Sequence, residues 1–332
     1  MNYNKLKSIL EECQEFVLVC HVDPDGDAIG SLSAMAEILE SLGKKVYRVC
    51  KNTVPTVFSF LIETDLVQND WPTDLPVIDS EVAQTRGAGG WAIILLDNGD
   101  FRRTGFPDEI TKARNSAIPI INIDHHPKND LWRIAKINCV DDTASSTGEM
   151  LYRIFAEFEW TITNSIATAL LAGVFYDTGS FQHQNTTPKV LEMTGDLLRH
   201  GAKLKLITQK MVNDRSISLF KLWGIALSRL TVNDKYNISY SIITRNDLIQ
   251  TEATEVEILG LVNLLNTNAE SRLTLLLYES ENGKIKGSLR TENNDLNMSK
   301  FAASLNGGGH KKAAGFSIQG LIKHDGKNWK IE

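Results

Sequence analysis

A short apolar run at residues 16–20 passes directly into an acidic stretch at 21–31, and this junction limits the folds open to the chain. The run reads Phe-Val-Leu-Val-Cys, which is typical of a buried β-strand, and the stretch reads His-Val-Asp-Pro-Asp-Gly-Asp-Ala-Ile-Gly-Ser. One imidazole and three carboxylates are therefore crowded at the end of a predicted strand. Two carboxylates about 5 Å apart repel each other by roughly 3 kcal/mol at an effective dielectric constant of about 20. Because such crowding costs stability or forces protonation without a cation, the stretch indicates a site for divalent metal.

Two other interpretations of the acidic stretch have to be weighed. A solvated turn is one of them, because Asp, Pro and Gly are common turn formers. A calcium loop of the EF-hand type is the other, but its spacing does not fit. With Asp23 as the first position, the position that requires Gly is Ala28, and the position that requires Glu is Ala34. A metal site of another kind is therefore favoured over the turn.

Two more apolar runs end in acidic or imidazole side chains. Residues 91–96 are continuously apolar and are followed by Asp97, and the run at 118–123 is followed by Asp-His-His at 124–126. Uninterrupted runs of this kind are typical of strands that are buried on both faces of a parallel sheet. Helical patterns alternate with these strands, so we predict a doubly wound, mainly parallel α/β domain with its ligand beyond the carboxyl ends of the strands.

A helical pattern at 166–176 leads into one further carboxylate, Asp177. Taken singly, Asp97 or Asp177 could be an ordinary cap, since Asp is favoured at turns and helix ends. Together the four stretches supply a full set of oxygen and imidazole ligands: His21, Asp25, Asp27, Asp97, His125 and Asp177. This set is sufficient for two octahedral dications that share a carboxylate, and the absence of thiolate favours Mn²⁺ or Mg²⁺ over structural zinc. Two such ions generate a hydroxide nucleophile and stabilise an in-line displacement at phosphorus.

The second half of the chain has a different pattern. Residues 189–230 are helical, whereas from 236 onward short strands, an Asn-Gly hairpin turn at 282–283 and a helix at 252–265 indicate a smaller α+β domain. A helix at 298–305 runs into Gly307-Gly308-Gly309-His310. We predict a domain at 1–190, a helical connector at 191–230 and a second domain at 231–332, with the active-site cleft between the two domains.

Composition excludes several classes of function. The chain has 332 residues, with 35 basic and 41 acidic side chains and a net charge of −6, so we do not expect it to bind long nucleic acid. Its four cysteines form no CxxC pair, which favours reduced core thiols. We expect no signal peptide, because no apolar stretch follows the first five residues, and no membrane span, because the longest apolar run is too short. These features predict a cytoplasmic protein.

Four motifs in this order resemble those of the DHH phosphoesterase superfamily. They are HVDPDGDAIGS (21–31), LLDNGD (95–100), IDHHP (123–127) and GVFYDTGSF (173–181), with ASSTGE (144–149) between the last two. The sequence Gly-Gly-Gly-His at 307–310, with Ser-Leu-Arg at 288–290 upstream, resembles the DHH-associated C-terminal domain. Within the superfamily the chain is similar to the bacterial oligoribonuclease (nanoRNase)/pAp phosphatase branch, and the resemblance covers nearly the whole chain.

The resemblance implies a role for each residue of the site. It implies that His21 and Asp25 bind one metal ion, that Asp27, His125 and Asp177 bind a second, and that Asp97 bridges the two. The remaining implied residues do not bind metal: His126 would face the substrate phosphate, Asp124 would orient an imidazole, and Arg290, Gly307, Gly308, Gly309 and His310 would bind the substrate. A flexible loop or a helix C-cap is an alternative interpretation of the three glycines.

The activity implied by the resemblance is hydrolysis of short RNA and linear dinucleotides to 5′-mononucleotides, and of 3′-phosphoadenosine 5′-phosphate (pAp) to AMP. The resemblance implies that two divalent cations take part in this reaction, with Mn²⁺ favoured over Mg²⁺. A homodimer is one possible oligomeric state. Two alternatives remain. One is an inorganic pyrophosphatase or exopolyphosphatase of the same superfamily, although Lys311-Lys312 lacks the Ser-Arg expected before it in the pyrophosphatases. The other is a non-catalytic dinucleotide sensor, which predicts the loss of ligands that are all present here.

Overall fold

The computed structural model describes residues 3–61, 64–73, 90–127, 130–213, 216–258, 261–267, 271–280, 282–309, 311–326 and 329–332. The chain divides into two compact units, Met1–Asp214 and Arg215–Glu332. The predicted connector at 191–230 is therefore shared, because its first two helices belong to the first unit and its last helix to the second.

Within its described residues, the first unit is built on a six-stranded sheet whose strands are all parallel. The strands are β1 (Glu15–Cys20), β2 (Lys45–Val49), β3 (Val67–Gln68), β4 (Trp91–Leu96), β5 (Ile120–Asp124) and β6 (Ile137–Val140). Their order is β3-β2-β1-β4-β5-β6. The direction of winding changes between β1 and β4, and the side chains that follow these two strands lie at the point where open α/β sheets bind ligands.

Helices cover both faces of this sheet. They are α1 (Tyr3–Glu12), α2 (Gly26–Ser41), α3 (Pro107–Asn115), α4 (Leu131–Ile134), α5 (Thr147–Glu157), α6 (Asn164–Asp177), α7 (Pro188–Arg199) and α8 (Leu204–Thr208). Alternate residues of β1 belong to different cores: Phe16 and Leu18 pack with α1, α2 and α6, whereas Val17 and Val19 pack with α3. This two-sided burial explains why the strands read as continuous apolar runs, and it confirms the predicted doubly wound fold.

The second unit contains a mixed sheet and, in its described residues, four helices. The sheet strands are β7 (Thr231–Asn233), β8 (Ile238–Ile243), β9 (Leu273–Glu279), β10 (Lys284–Arg290), β11 (Gly308–Gly309) and β12 (Ala313–Gln319), with a separate hairpin of β13 (Ile322–His324) and β14 (Trp329–Ile331). The helices are α9 (Ile217–Ser228), α10 (Arg245–Thr251), α11 (Leu261–Leu265) and α12 (Met298–Ala303). The strand order is β11-β12-β10-β9-β8-β7, and among the described strands of this second unit only β8 and β9 pair in parallel.

The helix predicted at 252–265 is wrong. A capping box formed by Thr244 and Asp247 starts α10 earlier, and Glu252 ends it in the left-handed region at φ 56°. A 3₁₀ turn, Glu255–Ile258, then precedes α11. The turn and the helix bury apolar side chains in the same core, and this shared burial produced the apparent amphipathic period. Among the described helices, none is long and apolar enough to cross a bilayer.

Candidate metal centre

The loop after β1 presents His21 and then enters α2 through Asp25. Asp25 caps this helix, because its Oδ1 accepts hydrogen bonds from the backbone N–H groups of Asp27 (3.0 Å) and Ala28 (3.1 Å). Its other oxygen, Oδ2, lies 3.7 Å from Nε2 of His21. One carboxylate oxygen thus starts the helix while the other faces the imidazole.

Asp97 follows β4 and lies at the centre of the candidate site. Its side chain is only 2% exposed, and its backbone is in the left-handed region at φ 59°, a conformation that is costly for a residue other than glycine. Its Oδ2 is 3.7 Å from Nε2 of His21, and its Oδ1 is 3.5 Å from Nε2 of His125. One carboxylate therefore contacts imidazoles that come from two different strands.

The Asp-His-His sequence after β5 divides its three side chains between two tasks. His125 turns its Nε2 toward Asp177, with 3.1 Å between Nε2 and Oδ2. Asp124 faces protein donors instead, because Oδ1 contacts the N–H and Nδ1 of His126 (2.9 and 2.8 Å) and Oδ2 accepts from the N–H of Gly99 (2.8 Å). Asp124 thus ties the β4 loop to the β5 loop and orients the His126 ring.

Asp27 and Asp177 are brought together by the packing of two helices. At the start of α5, the N–H groups of Thr147 and Gly148 donate to Oδ2 and Oδ1 of Asp27 at 2.6 and 2.9 Å, as expected for an anion at a helix N-terminus. Gly173 of α6 permits the approach, since a Cβ atom there would lie 2.3 Å from Oδ1 of Asp27. Asp177 is the last residue of the same helix.

The structure brings all six predicted metal ligands together. Ligand atoms within 4.8 Å of one another form two groups that share no residue: His21, Asp25 and Asp97, and Asp27, His125 and Asp177. A third combination joins Asp97 to His125 and His126. In this combination, the ring atom of His126 near Asp97 is Nδ1 (3.5 Å), which also contacts Asp124, so it is a weaker candidate ligand than the other atoms.

The site is electrostatically strained when no cation is present. Burial and the neighbouring carboxylates raise the pKa of Asp97 well above its usual range, and they raise that of Asp27 to about 7. The pKa of Asp177 is raised as well, chiefly by burial. Burial alone would lower the pKa of His125, but its hydrogen bond to Asp177 and the surrounding negative charge raise it to about 9. Asp25 differs, because burial is outweighed by its contacts with His21 and the helix N–H groups, which lower its pKa.

This donor set fits divalent cations. Four carboxylates and two imidazoles converge without thiolate, which is the ligand chemistry of Mn²⁺ or Mg²⁺. The raised pKa values of Asp97, Asp27 and Asp177 arise partly from mutual repulsion, which bound cations would relieve. The described geometry therefore gives a physical reason for metal at this edge of the sheet.

Sequence reasoning did not identify the groups that hold these ligands in place. Besides its N–H contact with Asp27, Thr147 donates its hydroxyl to Oδ1 of Asp97 at 3.1 Å. The amide of Asn98 donates to the carbonyls of Val19 (3.0 Å) and Leu96 (3.1 Å), which joins the ends of β1 and β4. The sequence did contain a signal for the position of Thr147, because Ser-Thr-Gly-Glu at 146–149 has the S-x-x-E spacing of a helix start. Ser146 does cap α5.

The predicted substrate-binding residues lie in the second unit. Arg290 ends β10, where its Nε donates to Oδ1 of Asn263 at 2.8 Å. Gly308 and Gly309 form β11 on the other side of β12, so they and Arg290 flank one strand. Gly307 closes α12 through an N–H bond to the Ala302 carbonyl (2.8 Å), which matches the helix-cap interpretation of the first glycine. His310 lies outside the described residues.

Comparisons with known proteins agree with this site. The DHH family N-terminal domain matches residues 15–174, and the DHHA1 domain matches residues 235–326. The chain is 31% identical to a Thermus thermophilus protein named bifunctional oligoribonuclease and PAP phosphatase NrnA, over 92% of this chain and 84% of that protein. A Bacillus subtilis protein of the same name is 26% identical over 91% and 88% of the two chains.

The structural comparison agrees with the sequence comparison. A crystal structure of an exopolyphosphatase-related protein from Bacteroides fragilis superposes with a TM-score of 0.82 at 25% identity, over 98% of this chain and 92% of that one. The relative at 31% identity and the two domain matches together establish the family. This chain therefore belongs to the DHH family of phosphoesterases and is a hydrolase that cleaves phosphate esters.

Proposed function

We propose that the chain hydrolyses short oligoribonucleotides, linear dinucleotides included, to 5′-mononucleotides, and pAp to AMP, with two divalent cations, Mn²⁺ in preference to Mg²⁺. The observation that carries this proposal is the pair of three-residue groups of candidate ligands, which are linked by the 3.5 Å approach of Asp97 in one group to His125 in the other. The names of the relatives from Thermus thermophilus and Bacillus subtilis support the substrate class.

We assign His21 and Asp25 to one ion, Asp27, His125 and Asp177 to the other, and Asp97 to both. When bound, the ions would supply an activated water and stabilise the charge that develops on the phosphoryl oxygens. The contributions of the chain itself are to fix the carboxylates before metal arrives and to exclude alternative conformations of the buried side chains. The helix-capping contacts of Asp25 and the two N–H contacts of Asp27 hold these carboxylates in position before metal binds.

We assign His126 to the substrate rather than to metal. Its Nδ1 contacts Asp124, so the other ring nitrogen, Nε2, would donate to a phosphate oxygen or deliver a proton to the leaving oxygen. Asp124 is a positioning residue in this scheme, because its carboxylate is held by the N–H groups of Gly99 and His126.

We assign binding of the rest of the substrate to residues of the second unit, namely Arg290, His310 and the glycines at 307–309. The glycines offer a test, because Gly308 is exposed and a Cβ there would meet no described atom within 4 Å. A Cβ at Gly307 would instead lie 2.2 Å from the Gly315 carbonyl oxygen. Gly308→Ala should therefore fold normally and raise KM if the substrate approaches this backbone closely, with Gly224→Ala in α9 as the control, since a Cβ at Gly224 also meets no described atom within 4 Å. An unchanged KM would remove the glycines from the binding site.

The substrate assignment is tested with a panel of pApA, pAp, pyrophosphate and polyphosphate, run with Mn²⁺ and with Mg²⁺. We expect release of AMP from pApA and pAp, and Asp97→Asn provides the inactive control. Rapid hydrolysis of pyrophosphate or polyphosphate with pApA left intact would instead favour the pyrophosphatase or exopolyphosphatase activity, which the name of the Bacteroides fragilis protein suggests. Tight dinucleotide binding without turnover under either metal would favour a sensor.

Three other expectations stay predictions. Rejection of long RNA can be measured by adding nucleotides to the substrate series, and a homodimer by the mass of the protein in solution. A cytoplasmic location rests on the sequence patterns alone.

A further inference from the structure

Arg103 is an arginine that the two candidate metal-binding loops hold in place. It lies in a 3₁₀ turn, Arg102–Thr104, shortly after Asp97. Its backbone N–H donates to Oδ1 of Asp100 at 2.9 Å, and its carbonyl accepts from the N–H of Val22 at 2.7 Å. The first contact belongs to the loop after β4 and the second to the loop after β1, so the backbone of Arg103 is fixed relative to both loops.

The guanidinium of Arg103 lies over Gly99 and beside His126. A Cβ atom built on Gly99 would lie 2.8 Å from Nη1 of Arg103 and 3.4 Å from Cδ2 of His126. Gly99 has φ +69°, so this position suits glycine both for its backbone and for the space above it. The missing side chain therefore makes room for a cation next to the imidazole that we assign to the substrate.

Among the described residues, the Arg103 guanidinium differs from those of the partly buried Arg153 and Arg229 in having no acidic partner. Arg153 forms ion pairs with Asp141 and Glu149, and Arg229 forms one with Asp247. Within the described residues, the Arg103 guanidinium forms neither an ion pair nor a hydrogen bond, although it is partly buried near an aspartate-rich site. A partly desolvated guanidinium that lies on a fixed backbone and has no described internal anion is suited to an external one, and its planar donors match phosphate oxygens.

We propose that Arg103 binds the phosphoryl group that is cleaved, donating to its non-bridging oxygens beside His126. This inference rests on the proposed function for the identity of the substrate, but its geometry depends only on the first unit. It adds a permanent cation of the catalytic unit to a site otherwise described by its carboxylates and imidazoles. Because the transferred group gains charge on these oxygens during the reaction, the contact should strengthen in the transition state.

The test uses the full-length protein loaded with Mn²⁺ and three variants: Arg103→Gln, Arg103→Lys and Arg102→Gln. Arg102 is the matched control, since it is exposed and lies on the same 3₁₀ turn. Three quantities are measured for each protein: kcat and KM on pApA, the Kd of Mn²⁺ by calorimetry, and the Kd of inorganic phosphate in the presence of Mg²⁺. Thermal melting establishes that each variant is folded.

We expect Arg103→Gln to lower kcat/KM by about 10²-fold or more, mostly through kcat, and to weaken phosphate binding by about tenfold. Arg103→Lys should recover part of both losses, Arg102→Gln should stay within about twofold of the unmodified protein, and the Kd of Mn²⁺ should not change. Equal behaviour of the Arg103 and Arg102 variants would overturn the inference. Loss of Mn²⁺ binding in both Arg103 variants would also overturn it, because the residue would then support the metal ligands.

The phosphate measurement separates this inference from the proposed function. One outcome is that the unmodified protein leaves pApA and pAp intact, while Arg103→Gln binds inorganic phosphate more weakly than the unmodified protein does. The proposed substrates would then be wrong, and the role of Arg103 would stand. If pApA is cleaved equally well by Arg103→Gln, the substrate assignment stands and the role of Arg103 is wrong.

Discussion

Two buried aspartates, one in each unit, show how differently the fold treats the same side chain. Asp247 is 3% exposed and Asp97 is 2% exposed. Both oxygens of Asp247 accept from the Arg229 guanidinium, and one also accepts from the backbone and hydroxyl of Thr244. Burial raises the pKa of Asp247, but these contacts lower it overall, whereas the pKa of Asp97 is raised well above its usual range by burial and by four neighbouring aspartates.

The difference separates a carboxylate that stabilises the fold from one that serves a ligand. A buried charge with a guanidinium partner and two further donors is satisfied by the protein itself. A buried charge among like charges is satisfied only after a cation binds or a proton is taken up. Substitution of the two residues should therefore have opposite consequences for stability and activity.

Asp97→Asn should have the largest effect on activity. Because Asp97 contacts imidazoles of both candidate metal groups, we expect kcat/KM on pApA to fall by more than about 10³-fold and calorimetry to show fewer bound Mn²⁺ ions. The metal-free variant should melt at the same temperature as the unmodified protein or higher, because a crowded charge has been removed. Near-normal turnover in this variant would show that the bridging assignment is wrong.

Asp247→Asn should have the largest effect on stability. Breaking the pair leaves the Arg229 guanidinium partly buried without its anion, so we expect a loss of about 2–3 kcal/mol in the free energy of unfolding of the second unit, measured by urea denaturation. Turnover at 20 °C should stay within about twofold. Asp295→Asn, at an exposed position of the same unit, is the control and should change stability by less than about 0.5 kcal/mol. A stable Asp247→Asn protein would contradict the contrast drawn here.

Thr147 should show a smaller effect that is specific to metal. Its hydroxyl holds Asp97 and its N–H holds Asp27, and Thr147→Val removes only the hydroxyl. In Thr147→Val we expect the affinity of the weaker of the two Mn²⁺ sites to fall by about tenfold, as for other residues that orient metal ligands. Thr147→Ser should restore most of that affinity. Calorimetry measures the affinity, and the electron paramagnetic resonance spectrum of bound Mn²⁺ gives a second measure of how the ion is coordinated. Equal affinities in the two variants would exclude an orienting role for the hydroxyl.

The features that were predictable from the sequence are those that depend on local patterns. The strand at 91–96 is bounded as predicted, because both of its faces are buried and its run of apolar residues is unbroken. The six candidate ligands could be chosen because each follows a strand or ends a helix, where parallel topology gathers side chains at one edge. Residue type and position relative to such ends were sufficient for this choice.

The features that were missed depend on tertiary approach. Strand β6 (Ile137–Val140) is short and alternately buried at the sheet edge, and β3 has two residues, so neither gives a strong local signal. Asp27 reaches Thr147 and Gly148 only because Gly173 has no side chain, which allows α2 to pack closely against α6. No local sequence pattern indicates this close approach. Arg103 lies in a polar turn sequence and becomes notable only because Gly99 and His126 lie next to it.

The metal-free protein should become less stable as pH rises from about 5 to 8, which is the smallest effect and the most direct test of the contrast. The pKa of Asp27 is about 7 in the folded protein, above the ordinary 3.8, so its stabilising contribution is complete below pH 4 and is lost as pH rises through 7. His125 acts in the same direction with a pKa of about 9, while Asp247, whose pKa is lowered, loses its contribution only below about pH 4.

Melting temperatures of the metal-free protein between pH 5 and 8 measure this slope, and Asp27→Asn is the control. We expect the variant to show a shallower decline, since Asn carries no titratable proton. Saturating Mn²⁺ should abolish or reverse the decline in the unmodified protein, because the cation binds the deprotonated carboxylates and is favoured at higher pH. A metal-free protein whose stability rises with pH across this range would mean that the crowded carboxylates are already compensated within the fold, and Asp97 would then resemble Asp247 rather than differ from it.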